Sequence, residues 1–188
     1  PRSCTRIRVG DSSSILWTGL WAYGLSSAFV WEERLYVFAA SNENRGANTI
    51  DVTWSGDLHT WSAPQTAIPP DEDGTLYNQS VCWDGRRFVM AYETRAGVPF
   101  TSKFAASEDL LTWQRLNGAE HGRDRYAACP ALRFCNGYYY MLYLARPTAA
   151  WWFETWLARS QDLIHWDEAP RNPRSEEHTS ELQSLLII

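Results

Sequence analysis

Ser107-Glu108-Asp109-Leu110-Leu111-Thr112-Trp113 recurs as Ser55-Gly56-Asp57-Leu58-His59-Thr60-Trp61 and again as Ser160-Gln161-Asp162-Leu163-Ile164-His165-Trp166. The copies of S-x-D-L-x-x-W start 52 and 53 residues apart. A period of this size marks an architecture in which one supersecondary unit is repeated. Upstream of the copies lie Phe29–Phe38, Val81–Met90 and Leu132–Met141. Each is an apolar run, a polar turn and a second apolar or aromatic run, the pattern of a β-hairpin. One unit is then hairpin, loop, strand, S-x-D-L turn and strand. That is a four-stranded antiparallel blade, and the chain reads as an all-β propeller of about three blades.

The 188 residues hold three such units, whereas a propeller ring closes with about four to eight. The chain therefore reads as a fragment that starts at Pro1. Blades are expected over about 25–62, 76–114 and 127–167, within a partial propeller spanning 1–173. Residues 1–24 fall outside the repeat. Residues 174–188 break the aromatic-rich composition and resemble the translation of a sequencing-adapter oligonucleotide, so they read as a non-native tail. Aromatic residues make up 14% of the chain, with 11 Trp, well suited to packing blades and to stacking on sugars. The net charge of −5 and the lack of a basic cluster argue against a nucleic-acid partner. No run of 18 apolar residues is present to span a membrane. Cys4, Cys82, Cys129 and Cys135 form no C-x-x-C pair and read as buried free thiols, which lean towards a reducing compartment. No cofactor or metal motif is present, and oligomeric state is not readable.

Strand counting sorts the loops. Turns between strands one and two share a face with the S-x-D-L turns between strands three and four. The opposite face collects the strand two–three loops and the inter-blade connectors, where propeller ligand sites form. Asp57, Asp109 and Asp162 therefore read as turn-stabilising residues on the wrong face for catalysis.

Ten residues before the hairpin anchors Trp31, Trp83 and Phe134 stand Trp21, Asp73 and Asp124, each just ahead of an inner strand. Asp124 lies between Arg123 and Arg125, which would keep a carboxylate ionised and could grip substrate hydroxyls. Glu93 closes a strand on the same face. Asp124, Asp73 and Glu93 are thus the candidate catalytic carboxylates. Asn78, Tyr77, Arg123, Arg125 and Trp21 are the candidate substrate-binding residues. For each there is a plainer reading: a solvated turn for Asp124, an acidic loop for Asp73 and a salt-bridged rim for Glu93.

The repeated motif resembles the Asp-box of sialidases, with Leu58, Leu110 and Leu163 where a glycine is expected. Together with hairpins such as Leu132–Tyr140, it makes residues 20–173 similar to the five-bladed β-propeller glycoside hydrolases, which include arabinanases, levansucrases and invertases. Arg123-Asp124 resembles the start of the invertase R-D-P motif, with Arg125 in the proline's place. Ala128-Cys129-Pro130 resembles E-C-P, with Ala128 in the glutamate's place. The resemblance implies acidic residues on inner strands around a central channel. It also implies a carbohydrate substrate for the full-length protein, with the fragment alone inactive. Two alternatives stay open: a non-catalytic carbohydrate-binding propeller, and a protein-interaction propeller of the kelch or WD kind.

Overall fold

A computed structural model describes residues 4–8, 15–21, 23–41, 48–70, 75–95, 100–146 and 152–177. Its strands are β1 (Cys4–Arg8), β2 (Ile15–Trp21), β3 (Tyr23–Trp31), β4 (Arg34–Ser41), β5 (Ile50–Ser55), β6 (Gln65–Ile68), β7 (Leu76–Trp83), β8 (Phe88–Thr94), β9 (Thr101–Ser107), β10 (Gln114–His121), β11 (Ala127–Cys135), β12 (Tyr138–Ala145), β13 (Phe153–Ser160), β14 (Asp167–Glu168) and β15 (Ser175–Glu177). Strands β3 to β6, β7 to β10 and β11 to β14 form three antiparallel meanders in sequence order. These are the three blades of the repeat. The strands β1 and β2 pair with each other and lie against β3 and β5. The short β15 adds to β13 beside β14. The described start of the expected foreign tail thus continues the sheet, and 178–188 lie outside the described residues.

Side chains alternate across each sheet, so every blade has two faces to cover. Phe38 and Val52 of blade one meet Met90, Tyr92 and Ala105 of blade two in one core. The other face of blade two, with Val89, Ala91 and Phe104, meets Tyr139, Met141 and Tyr143 of blade three. The first strands converge, since β7 packs against both β3 and β11. The motif tryptophans cover the face turned towards the preceding blade. Trp113 meets Phe38 edge-on at 5.7 Å between ring centres, and Trp166 stacks on Phe104 at 5.4 Å. Trp61 packs on Val37 and Ala39, on the far face of blade one. Each such aromatic pair adds about 0.5–1.5 kcal/mol beyond the area it buries.

The three S-x-D-L turns share one hydrogen-bond pattern. In the second, Ser107 Oγ accepts from Asp109 N at 3.2 Å and Leu110 N at 2.9 Å, and donates to Asp109 Oδ1 at 3.0 Å. Asp109 Oδ1 also accepts from Leu111 N at 2.9 Å and Thr112 N at 2.7 Å. The first and third turns repeat these bonds. Leu58, Leu110 and Leu163 take φ of +63°, +66° and +68°, a region that favours glycine. Leu110 and Leu163 are each 1% exposed. Burying a leucine is worth about 1.5–3 kcal/mol, which offsets backbone strain of about 1–3 kcal/mol. At Leu110 and Leu163 this burial lets leucine stand where a glycine is expected.

The cysteines depart from expectation. Cys82 is buried and burial pushes its thiol up to about 12, but Cys129 is half-buried and Cys135 exposed. Cys135 ends β11, beyond the reach of the neighbouring blade's core.

Candidate functional site

The blades place their first–second and S-x-D-L turns at one end, as strand counting requires. The other end gathers the connectors and the starts of the first strands. Here each first strand carries a β-bulge, with pairing slipping between Gly24 and Ser26, between Tyr77 and Gln79, and between Ala128 and Ala131. Leu25 and Asn78 are the extra residues, and Cys129-Pro130 oppose a single partner. A bulge bends its strand and re-aims side chains, a device common beside active sites.

Glu93 sits at this end, on the face of β8 turned towards blade three. Its Oε2 accepts from Asn78 Nδ2 at 2.8 Å and from the Cys129 N–H at 2.8 Å. Both donors are bulge residues, one from its own blade and one from the next. Asn78 Nδ2 also lies 3.3 Å from Cys129 Sγ. Cys129 takes φ +51°, a costly conformation for a residue with a Cβ. Glu93 is 2% exposed. Burial lifts its carboxyl above the ordinary glutamate value, and the Cys129 and Asn78 bonds only partly oppose this. Across the sheet Glu93 pairs with Tyr77 on β7 and with the buried Ser102 on β9. The Tyr126 phenol is pushed up to about 12 by burial and then by the Glu93 charge.

The connector 122–126 delivers Tyr126 and Asp124. It turns at Gly122, whose φ is +87° and where a Cβ would stand 2.2 Å from the Ala127 Cβ. No other residue fits there. The Asp124 side chain is 72% exposed and is gripped by Arg125 through Nε at 3.2 Å and Nη2 at 3.0 Å. That grip, against slight burial, holds its carboxyl below the usual range. Arg125 in turn faces Glu168 of β14 at 3.7 Å and lies over the Trp156 ring. Glu168 also meets His121 Nε2 at 3.1 Å and the Tyr143 hydroxyl at 2.8 Å. Arg123 pairs with Glu120.

The structure therefore brings Glu93, Asn78 and Tyr77 together. Asp124 and Arg125 share the same end but are drawn to the outer strand of blade three. Trp21 lies on β2 opposite Cys4, and Asp73 lies outside the described residues. A cleft of about 280 Å³ opens where the β9–β10 ladder breaks, lined by Lys103, Arg115, Asn117 and Arg123 rather than by Glu93. Among the described residues no group of three or more His, Cys, Asp or Glu is placed to hold a metal ion. The sequence reading missed the bulges, the Cys129 N–H, and the set formed by His121, Tyr143 and Glu168. The bulges recur once per blade, but Leu25, Asn78 and Cys129 differ in chemistry, so no side-chain signal marked them in the sequence.

No protein-family model matches the sequence, and no curated protein matches it. Solved structures do match. A GH32 β-fructofuranosidase of Bombyx mori superposes with a TM-score of 0.65 at 16% identity, over 78% of this chain and 34% of that one. A mutant of the same enzyme in complex with sucrose gives 0.68 over 82% and 35%. A family 117 glycoside hydrolase of Zobellia galactanivorans gives 0.69 at 14% identity, over 93% of this chain and 62% of that one. The chain spans about a third to three-fifths of the length of these structures. It has the fold of the five-bladed β-propeller glycoside hydrolases, of which it forms three blades.

Proposed function

We propose that these blades belong to a glycoside hydrolase that acts on an oligo- or polysaccharide, with Glu93 as proton donor to the departing sugar. Asp124 is the second, ionised carboxylate, and Asp73 is its competitor from the preceding connector. One observation carries the reading. At the bulged end, burial raises the Glu93 carboxyl above its ordinary value while Arg125 holds the Asp124 carboxyl below its own. Glycoside hydrolysis needs one carboxyl of each kind, and environments that push two carboxyls apart assign acid and base. Asn78 and the Cys129 N–H fix Glu93 through Oε2, leaving Oε1 to carry the proton. Arg125 keeps Asp124 charged. Arg123, Tyr77 and Trp21 complete the sugar contacts. The sucrose held by a protein of the same fold supports a sugar ligand.

The other reading, a non-catalytic carbohydrate-binding propeller, has one observation in its favour. The bond from the Cys129 N–H to Glu93 ties blade two to blade three, which a purely structural carboxyl would also do. The two readings separate in a product carrying all five blades. Glu93→Gln should lower kcat on aryl glycosides and oligosaccharides about 10²–10⁴-fold, the usual worth of a general acid, with the fold intact by circular dichroism. Asp109→Asn, at the far end, should leave kcat unchanged. Equal rates for Glu93→Gln and the parent would remove the hydrolase reading.

A further inference from the structure

Side chains from four parts of the chain meet at Glu168. Its Oε1 accepts from the Tyr143 hydroxyl of β12 at 2.8 Å and lies 3.1 Å from His121 Nε2 at the end of β10. Its Oε2 accepts from Asn172 Nδ2 at 3.0 Å, and Arg125 Nη1 of the connector stands 3.7 Å from Oε1. The partners are themselves fixed. The buried His121 ring packs on Tyr143 at 4.7 Å and on Trp166 at 5.3 Å. Asn172 bonds both the N–H and the carbonyl of Leu157 at 3.0 Å. Burial works to raise the Glu168 carboxyl, yet the His121 and Tyr143 bonds outweigh it and hold the carboxyl low. Glu168 is thus a charged group, braced from several sides and facing Arg125.

Hydrolysis as assigned above gives Glu168 no task, but Asp124 needs one. Asp124 is exposed and pairs with Arg125, its neighbour in sequence. An exposed pair of this kind holds its partners loosely on its own. Arg125 is held further, because Nε and Nη2 serve Asp124 while Nη1 faces Glu168 and the guanidinium lies over Trp156. The repeat uses the same position once more. Glu168 stands two residues after the motif Trp166, and Arg115 stands two after Trp113. Arg115 Nη2 donates to the Pro69 and Pro70 carbonyls at 2.6 and 3.1 Å, in the connector that enters blade two. In both blades this residue of the outer strand reaches the connector leading into its own blade. We propose that Glu168 is a positioning residue, which anchors Arg125 and through it sets where the Asp124 carboxylate stands. This rests on the reading of Asp124 as the charged carboxylate of a glycoside hydrolase.

The test has a structural and a kinetic arm. Glu168→Gln keeps an oxygen for the Tyr143 hydroxyl and removes the charge that faces Arg125. In crystal structures of the 188-residue chain, this variant should show the Arg125 guanidinium moved off Trp156 and the Asp124 carboxylate displaced from its place in the parent. In a product carrying all five blades, it should lower kcat about ten- to a hundredfold, the cost of misplacing a catalytic group by about 1 Å, with KM unchanged. Added to Asp124→Asn, it should lower kcat no further than Asp124→Asn does alone, because residues that act as a unit are not additive. Losses that multiply would show that Glu168 acts on stability rather than through Asp124, and would overturn this proposal alone. An Asp124 carboxylate that keeps its place in Glu168→Gln would do the same. Asp124→Asn with the parent's kcat would remove Asp124 from the hydrolase reading and this proposal with it. Should Glu168→Gln not fold, Arg125→Lys replaces it in both arms, since lysine keeps the charge but lacks the fork that reaches both carboxylates.

Discussion

Glu93 combines a buried carboxyl, two donors on a single oxygen, and a raised affinity for its proton. Because its folded pKa lies above the unfolded value, its contribution to stability is fully present below the unfolded pKa and is lost as pH rises through the folded one. The urea midpoint of the protein should therefore fall over that window. Glu93→Gln, neutral at every pH, should flatten the fall; identical slopes would show that Glu93 does not titrate in this way. The residue itself was legible in the sequence from its place at the end of a strand on the loop face. Its donors were not, because they lie 15 and 36 residues away and one is a backbone N–H. Asp124 was legible as an arginine-flanked carboxylate. That Arg125 would lean towards Glu168 depends on a strand that packs into place only when the sheet forms.

At the scale of the element, the S-x-D-L turn is held by its serine. Ser107 is 4% exposed and serves both Asp109 N and Leu110 N. Ser107→Ala leaves the Leu110 N–H buried without that partner, so unfolding free energy should drop by about 1–3 kcal/mol. Asp109→Asn keeps an oxygen at Oδ1 and should cost less. A serine variant as stable as the parent in urea would contradict the hydrogen-bond account. These turns were legible because their chemistry sits in the side chains that repeat. The bulges were not, because Leu25, Asn78 and Cys129 share no side-chain chemistry. What repeats there is a property of the backbone path.

Across the whole molecule, each blade is fastened to the next by buried or half-buried polar bonds as well as by its core. Gln79 Nε2 donates to the Phe38 carbonyl at 2.8 Å, Leu132 N to Ser80 Oγ at 3.0 Å, and the Tyr139 hydroxyl to Asp84 Oδ2 at 2.6 Å. Burial works to raise the Asp84 carboxyl, yet the Tyr139 bond and the Arg87 and Arg86 N–H groups outweigh it and hold the carboxyl low. The Cys129–Glu93 bond belongs to the same set of inter-blade ties, so the candidate site is built from the joint between blades two and three. The period of the repeat was enough to read blades and faces. The joint was beyond it, since it depends on which residues two blades bring into contact. The most direct measurement of the central claim is the pH dependence of kcat/KM in a product carrying all five blades, which reports the free enzyme's essential acid. The account predicts an alkaline limb above the ordinary glutamate range. In Asn78→Ala the limb should move to still higher pH, because a bond favouring ionised Glu93 is lost. A limb in the ordinary carboxylate range, or one that Asn78→Ala leaves in place, would contradict it.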